Sequence, residues 1–374
     1  MVSTDLVVVP VRTKKDLNDF IELPWKIYQD DKNWVPTRTK STKWILDTKK
    51  NPIYCHSERE IFLARRNDKP VGRIAGIIDY NYINHHNTNV GLIGMFESIP
   101  DYAVAEALLN KVAEYFKSKL LNEMCGPAMP VMIDKIGLLI DNFDTPPTYR
   151  TSYNPKYYVD YFEQYGLKKS KDYYAFLIDL TVELPSEFIK TCQELKSSLD
   201  LTIRNFNIRK LSEELNKKLE IYNDSWKMGC EFAPVFKPVL YGLVRFIRLF
   251  LDASLDVLVE NPKEPVATAV AMPDVNQILR SFGKNIYPWQ YFKFKKLMKT
   301  IDTIRLAIMA INWDYVNQNI DKLLLYQILS IAKMKGYKYC EVSYVQEDRS
   351  DFINLLLSLN AKKYKTFRFY CKPI

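Results

Sequence analysis

The fold is decided by A-R-R-N-D-K-P-V-G-R-I-A-G-I-I-D-Y-N-Y-I, residues 64–83, because the same plan returns 195 residues later as V-E-N-P-K-E-P-V-A-T-A-V-A-M-P-D-V-N-Q-I, residues 259–278. Pro70 and Val71 align with Pro265 and Val266 without a gap, and Asp79, Asn81 and Ile83 align with Asp274, Asn276 and Ile278. In each copy an apolar run (61–64; 255–259) meets a polar turn with Asn-Asp or Asn-Pro-Lys. A second apolar run follows and ends in Asp-x-Asn. Turn formers between β-rich runs predict a hairpin.

Five identities alone are weak evidence of duplication; a repeated order of flanking elements is stronger. In the first half a strand at 90–95 precedes a helix at 101–120, whose Val104, Leu108, Val112 and Tyr115 fall at helical spacing. In the second half a strand at 303–311 precedes a helix at 320–335, striped by Ile320, Leu323, Leu324, Ile328 and Ile331. A strand (123–128; 338–345), a helix (156–165; 350–359) and a closing alternating strand (171–180; 363–372) complete each half. Parallel strands joined through a helix need right-handed crossovers, so each half is expected to be an α/β unit, a mixed twisted sheet flanked by helices. The expected domains are 1–185 and 186–374. The second opens with a helix at 186–198, a strand at 201–208 and a helix at 211–228.

Composition narrows the chemistry. With 374 residues the chain has room for about two domains. Its 47% hydrophobic and 26% charged residues exclude a disordered chain, and 11 glycines argue against Gly-rich nucleotide loops. A net charge of +9 favours anionic partners such as CoA-type phosphates or acidic headgroups. The six cysteines lie 31 or more residues apart and there are three histidines, so neither a metal site nor a disulfide framework is expected. The apolar run Leu6 to Val9 is too short for a signal peptide, and no apolar stretch nears the roughly 18 residues of a membrane span. A cytoplasmic, reducing location is expected.

The order of elements resembles the GNAT superfamily, the acyl-CoA N-acyltransferase fold, present twice as in bacterial tandem-GNAT proteins. The resemblance covers almost the whole chain. It is carried by K-K-N-P-I-Y-C-H (49–56), Y-N-P-K-Y-Y (153–158), Y-N-D-S-W (222–226), M-P-D-V-N-Q (272–277), E-V-S-Y-V-Q-E-D (341–348) and K-T-F-R-F-Y-C-K-P (365–373). It implies an acyl-CoA (or acyl-carrier-protein) co-substrate whose diphosphate sits where the fourth strand meets the next helix. The loop there usually reads R/Q-x-x-G-x-G/A, so that backbone N–H groups and a helix N-terminus face the phosphates. In this chain that place implies Ala310, Ile311, Asn312, Gln318, Asn319, Ile320 and Asp321. The loop holds no glycine, Val316 stands at the basic position, and Asn319 replaces a glycine at a point where asparagine tolerates the left-handed conformation. Asp321, in the first helical turn, suits the dipole but repels a phosphate. The first half offers only Glu97-Ser98-Ile99-Pro100-Asp101 there, with two acids, and is expected to lack a donor site.

Amide formation from a thioester needs a base for the ammonium, a donor for the carbonyl oxygen and an acid for the thiolate. Glu347 and Asp348, just past the strand after the donor helix, are the expected base pair, with a helix cap as the competing role of Asp348. Tyr344 is the candidate acid. Strand alternation places Glu341, Ser343 and Val345 on one face and Val342 and Tyr344 on the other. Acceptor recognition falls to Asp274, Asn276 and Gln277, and to Asn223 and Trp226 of the helix at 211–228. The competing role of the Asp-x-Asn groups is a turn. His56 lacks a metal-ligand partner at ligand spacing. No metal is expected.

Two basic aromatic stretches, 236–250 and 287–298, suit a bilayer interface, so peripheral contact with an anionic membrane face and a lipid-like amine acceptor are expected. Positive charge is spread along the chain, which argues against nucleic acid. The alternative to an acyltransferase is a non-catalytic GNAT-like binding or scaffold protein with a degraded cofactor loop.

Overall fold

The computed structural model describes residues 6–129, 135–198, 200–225, 233–247 and 250–374. In chain order the elements are β1 (Leu6–Pro10), α1 (Lys14–Ile27), α2 (Thr39–Ile45), β2 (Ser57–Arg66), β3 (Lys69–Asp79), α3 (Tyr80–His86), β4 (Val90–Ser98), α4 (Tyr102–Ser118), β5 (Glu123–Gly126), β6 (Leu138–Leu139), α5 (Tyr157–Gln164) and β7 (Lys168–Asp179). There follow α6 (Ser186–Ser198), β8 (Thr202–Asn205), α7 (Leu211–Ser225), α8 (Lys237–Ile247), β9 (Asp256–Glu260), β10 (Pro265–Pro273), α9 (Asn276–Leu279), α10 (Tyr291–Met298), β11 (Thr303–Ile311), α11 (Ile320–Met334), β12 (Tyr339–Gln346), α12 (Ser350–Ser358) and β13 (Lys362–Pro373).

Two compact units result. The first holds Met1–Tyr173, Leu279–Tyr287 and Lys365–Ile374; the second holds Tyr174–Ile278 and Pro288–Tyr364. This division is not the linear cut at 185/186. The ends of the two closing strands are exchanged, since Tyr370–Pro373 of β13 pair with Gly126–Glu123 of β5. Chain order cannot show such an exchange, because either strand end satisfies the same backbone donors.

In the first unit the strand order is β1-β2-β3-β4-β5-β13, with β4 and β5 parallel and β6 paired to β13. The repeated hairpin is β2–β3, in register from Ser57↔Asp79 to Arg66↔Lys69. Helix α4 lies on this sheet through Val104, Leu108, Val112 and Phe116, all fully buried. Burying each is worth about 1.5–3 kcal/mol, more than any helix-propensity difference among them. The helix sits so close that a Cβ on Gly91 would lie 2.5 Å from the Phe116 ring. A correction to the cysteine reading appears here: Cys125 and Cys371 are register partners on β5 and β13 and form a disulfide. Their separation of 246 residues hides the contact in the sequence.

In the second unit the order is β7-β12-β11-β10-β9-β8, with β11 and β12 parallel. The second copy of the hairpin is β9–β10. The stripe of α11 (Ile320, Leu324, Ile328) packs on Val257, Ala269, Leu306 and Val342 in one core. No helix among the described residues is long and apolar enough to cross a membrane.

Candidate functional site

In the second unit β11 and β12 pair from Thr303↔Tyr339 to Leu306↔Val342 and then part, although β11 runs on to Ile311 and β12 to Gln346. The first unit repeats the device: β4 and β5 pair from Val90↔Glu123 to Leu92↔Cys125, and β4 continues to Ser98. Parted parallel strands leave inner-edge backbone groups that need partners. In the second unit two of these come from the end of α7. The Ile311 N–H donates to Ser225 Oγ (3.2 Å) and the Trp313 N–H to Asp224 Oδ2 (2.8 Å).

At the base of the opening lies a buried polar network. Arg305 and Glu341 are register partners on β11 and β12, 2% and 0% exposed. Arg305 Nε donates to Ser343 Oγ (3.0 Å), and Ser343 Oγ donates to Glu341 Oε1 (2.7 Å). Tyr364 donates its hydroxyl to Glu341 Oε2, and the Arg305 guanidinium lies 5.4 Å from the centre of the Tyr344 ring. Burial, and then the charge of Glu341, push the Tyr364 hydroxyl far above the ordinary tyrosine range, so it stays a donor. The network fixes the β12 backbone at the opening and gives Tyr344 a cationic neighbour. Sequence reasoning placed Glu341 and Ser343 together but missed Arg305 and Tyr364. The available signal was Arg305 as the single charge in T-I-R-L-A-I-M-A-I. The expected alternation is corrected at Val345, which joins Val342 and Cys340 in the apolar core instead of facing with Ser343.

The predicted residues occupy distinct places. Glu347 is half-buried and Asp348 exposed in the turn after β12. The N-cap position of α12 is Arg349, whose side chain makes no cap bond, with Asp348 one residue before it. Along the donor path, Ala310 is fully buried beside Ile221 and Leu258, and Ile320 is fully buried in the α11 core, so each offers backbone only. The Asn312 side chain caps the turn Trp313–Gln318 by accepting from the Asp314 N–H (3.2 Å). Gln318 is half-buried, and Asn319 adopts the left-handed conformation (φ 57°, ψ 26°) directly before α11. Asp321 lies in the first turn of α11, while Trp313 and Val316 are exposed beside it.

On the acceptor side Asp274 and Asn276 are buried, and Asp274 accepts from the Asn276 N–H (3.2 Å). The first copy repeats this geometry with Asp79 and the Asn81 N–H (3.0 Å), and adds His56 Nδ1 2.8 Å from Asp79. The acid partner of His56 thus arrives from the end of β3. Gln277 donates to Asp302 Oδ1 (2.8 Å) and Thr303 Oγ1 (2.9 Å). Asn223 clamps Val235, accepting from its N–H (2.8 Å) and donating to its carbonyl (3.0 Å). Asn154 clamps Leu139 of β6 in the same way, so each of these two asparagines ties the backbone of another segment. Trp226 lies outside the described residues.

Two further places gather charged or sulfur-bearing side chains. A cleft of 570 Å³ between β8 and α7 is lined by Arg204, Lys217, Glu214 and Glu260, but Arg204 is already bidentate to Glu214 and also bound to Glu260. Among the described residues, Glu123, Cys125 and Cys371 cluster at metal-ligand distance, with the two sulfurs bonded to each other. In the first unit, on β4 beyond its last pair with β5, Glu97 accepts from Tyr28 (2.8 Å) and Tyr158 (2.9 Å) with Arg73 3.6 Å away. Burial raises the Glu97 carboxyl against the pull of Arg73 and both hydroxyls.

No family model matches the chain. Over its full length it is similar to the bacterial ceramide synthase of Caulobacter vibrioides, 25% identical over 379 residues and 98% of that protein. Protein YghO of Escherichia coli is also 25% identical, over 380 residues and 97% of its length. A solved tandem GNAT protein from the clavulanic acid biosynthesis pathway superposes with a TM-score of 0.58 at 9% identity, covering 99% of this chain and 98% of that one. The chain has the fold of two fused GNAT-like domains.

Proposed function

We propose that this chain is an acyltransferase that moves an acyl group from acyl-CoA, or an acyl carrier protein, to an amine, and that the amine is lipid-like. The observation that carries the reading is the parting of β11 and β12 beyond Leu306 and Val342, followed by left-handed Asn319 at the start of α11. A thioester arm fits between such strands, with Ala310, Ile311 and Asn312 along it and the diphosphate facing the backbone of Gln318 to Asp321. In the reaction the ammonium first gives a proton to Glu347, with Asp348 beside it, and the free amine nitrogen attacks the thioester carbonyl carbon. The carbon–sulfur bond breaks, Tyr344 protonates the departing thiolate, and the tyrosinate takes back the second nitrogen proton as the amide forms. Asp274, Asn276, Gln277, Asn223 and Trp226 belong to the acceptor side. The lipid-like acceptor draws support from the name of the Caulobacter relative, since a ceramide is an N-acylated long-chain amine.

One observation favours the scaffold alternative: Ser225 and Asp224 already occupy the N–H groups of Ile311 and Trp313. Titration calorimetry with acetyl-CoA and palmitoyl-CoA separates the two. Heat with either thioester supports the enzyme, and none with both leaves a scaffold. In the enzyme, Glu347→Gln lowers turnover and leaves thioester binding intact; unchanged turnover removes Glu347 from the mechanism.

A further inference from the structure

Helix α10 presents an outward face that its own packing does not use. Phe294 is buried, 5.7 Å from the Phe250 ring, and Leu297 and Met298 are half-buried. These three share one side of the helix at 3.6 residues per turn. Phe292 lies on the opposite side and is 81% exposed; Trp289, in the turn just before the helix, is 75% exposed. Tyr291 meets Phe292 edge-on at 5.9 Å and carries the Lys295 ammonium 5.2 Å from its ring centre. Residues 285–301 contain Lys293, Lys295, Lys296 and Lys299 and no acid. Among the described residues no ion pair holds Lys295, Lys296 or Lys299, and Lys296 flanks Phe292 on the outward side.

From this we infer that α10 and the turn before it dock on the surface of a bilayer rich in anionic headgroups. Exposed tryptophan and phenylalanine are costly in water and settle at headgroup depth, while Lys295, Lys296 and Lys299 meet phosphate. The lack of any acid within residues 285–301 distinguishes this segment from one built for a protein partner, where both signs normally alternate. The inference concerns where the chain works and goes beyond the proposed chemistry. A test that contains no thioester therefore fails or succeeds independently of it.

The test is flotation of the full chain with vesicles of phosphatidylcholine alone and with an equimolar mixture of phosphatidylcholine and phosphatidylglycerol, at low and high salt. Binding to the mixed vesicles at low salt, weakened by salt and absent with phosphatidylcholine alone, is expected. Each lysine near the surface is worth roughly fivefold in partitioning, so Lys295→Gln with Lys296→Gln and Lys299→Gln costs about 100-fold. Trp289→Ala with Phe292→Ala costs about tenfold or more. These side chains are exposed, and circular dichroism of the variants checks that folding is unaltered. The inference is overturned if the chain does not float, or if either set of variants floats like the original. Concentration-dependent self-association abolished by Phe292→Ser would overturn it in favour of a second copy.

Discussion

Replacing Arg305 by methionine keeps most of the side-chain volume and removes the cation that faces Glu341 in the network. Glu341 is 0% exposed and would keep the hydroxyls of Ser343 and Tyr364 as donors. A buried carboxylate that loses its ionic partner costs about 3–5 kcal/mol, because water cannot replace the lost field. Glu341→Leu leaves the guanidinium of Arg305 buried without its carboxylate and costs a similar amount. Replacing both, as Arg305→Met with Glu341→Leu, removes both charges together. What remains is the orphaned hydroxyls of Ser343 and Tyr364, at about 1–3 kcal/mol each. The double variant should therefore be more stable than the two single costs added, with a coupling of about 2 kcal/mol or more. Urea unfolding of the four proteins measures it, and hydrogen exchange along β11 and β12 locates it. Should a single variant fail to fold, Ser343→Ala gives a milder cut of the same network. A cost below about 1 kcal/mol for Arg305→Met, or simple additivity in the double variant, refutes the claim that this ion pair holds the opening.

Cys371→Ser opens a loop of 246 residues, and chain entropy alone puts its cost on the order of 5 kcal/mol; equal urea midpoints with and without reductant would contradict this. Asn319→Ala should cost about 1 kcal/mol in thermal unfolding because alanine resists the left-handed conformation, whereas Asn319→Gly should be nearly neutral; equal losses would count against the assigned backbone. Burial alone would raise the Asp172 carboxyl, but hydrogen bonds from Arg368 and Lys169 outweigh it and hold the pKa below the ordinary 3.8. A folded pKa below the unfolded one means that this stabilisation is complete above about 3.8 and is lost as pH falls through the folded value. Acid unfolding of Asp172→Asn should accordingly lack that part of the pH dependence, and superimposable acid profiles would rule the pair out.

Much of the fold was legible. The helix expected at 320–335 is α11 and the strand expected at 303–311 is β11, because an apolar stripe with a period of 3.6 or 2 is written into one short segment. The Asp-x-Asn ends of the two hairpins were legible for the same reason: the aspartate bonds an N–H two residues on, within a single turn. The site was less so. Asn223 and Gln277 read as acceptor groups, and nothing in the sequence showed that one also clamps Val235 and the other also ties Asp302 and Thr303. Which of two polar partners an amide takes depends on what the fold brings near it.

The sequence by itself determined a duplicated hairpin–strand–helix–strand plan, since each element is specified by contacts a few residues away. Only the tertiary structure decided that Arg305 and Glu341 meet 36 residues apart, that Cys371 bonds Cys125, and that the final strand ends in the first unit. The physical reason is that backbone pairing is generic. Any strand edge accepts any partner, and the choice falls to side-chain packing and charge burial gathered from the whole chain.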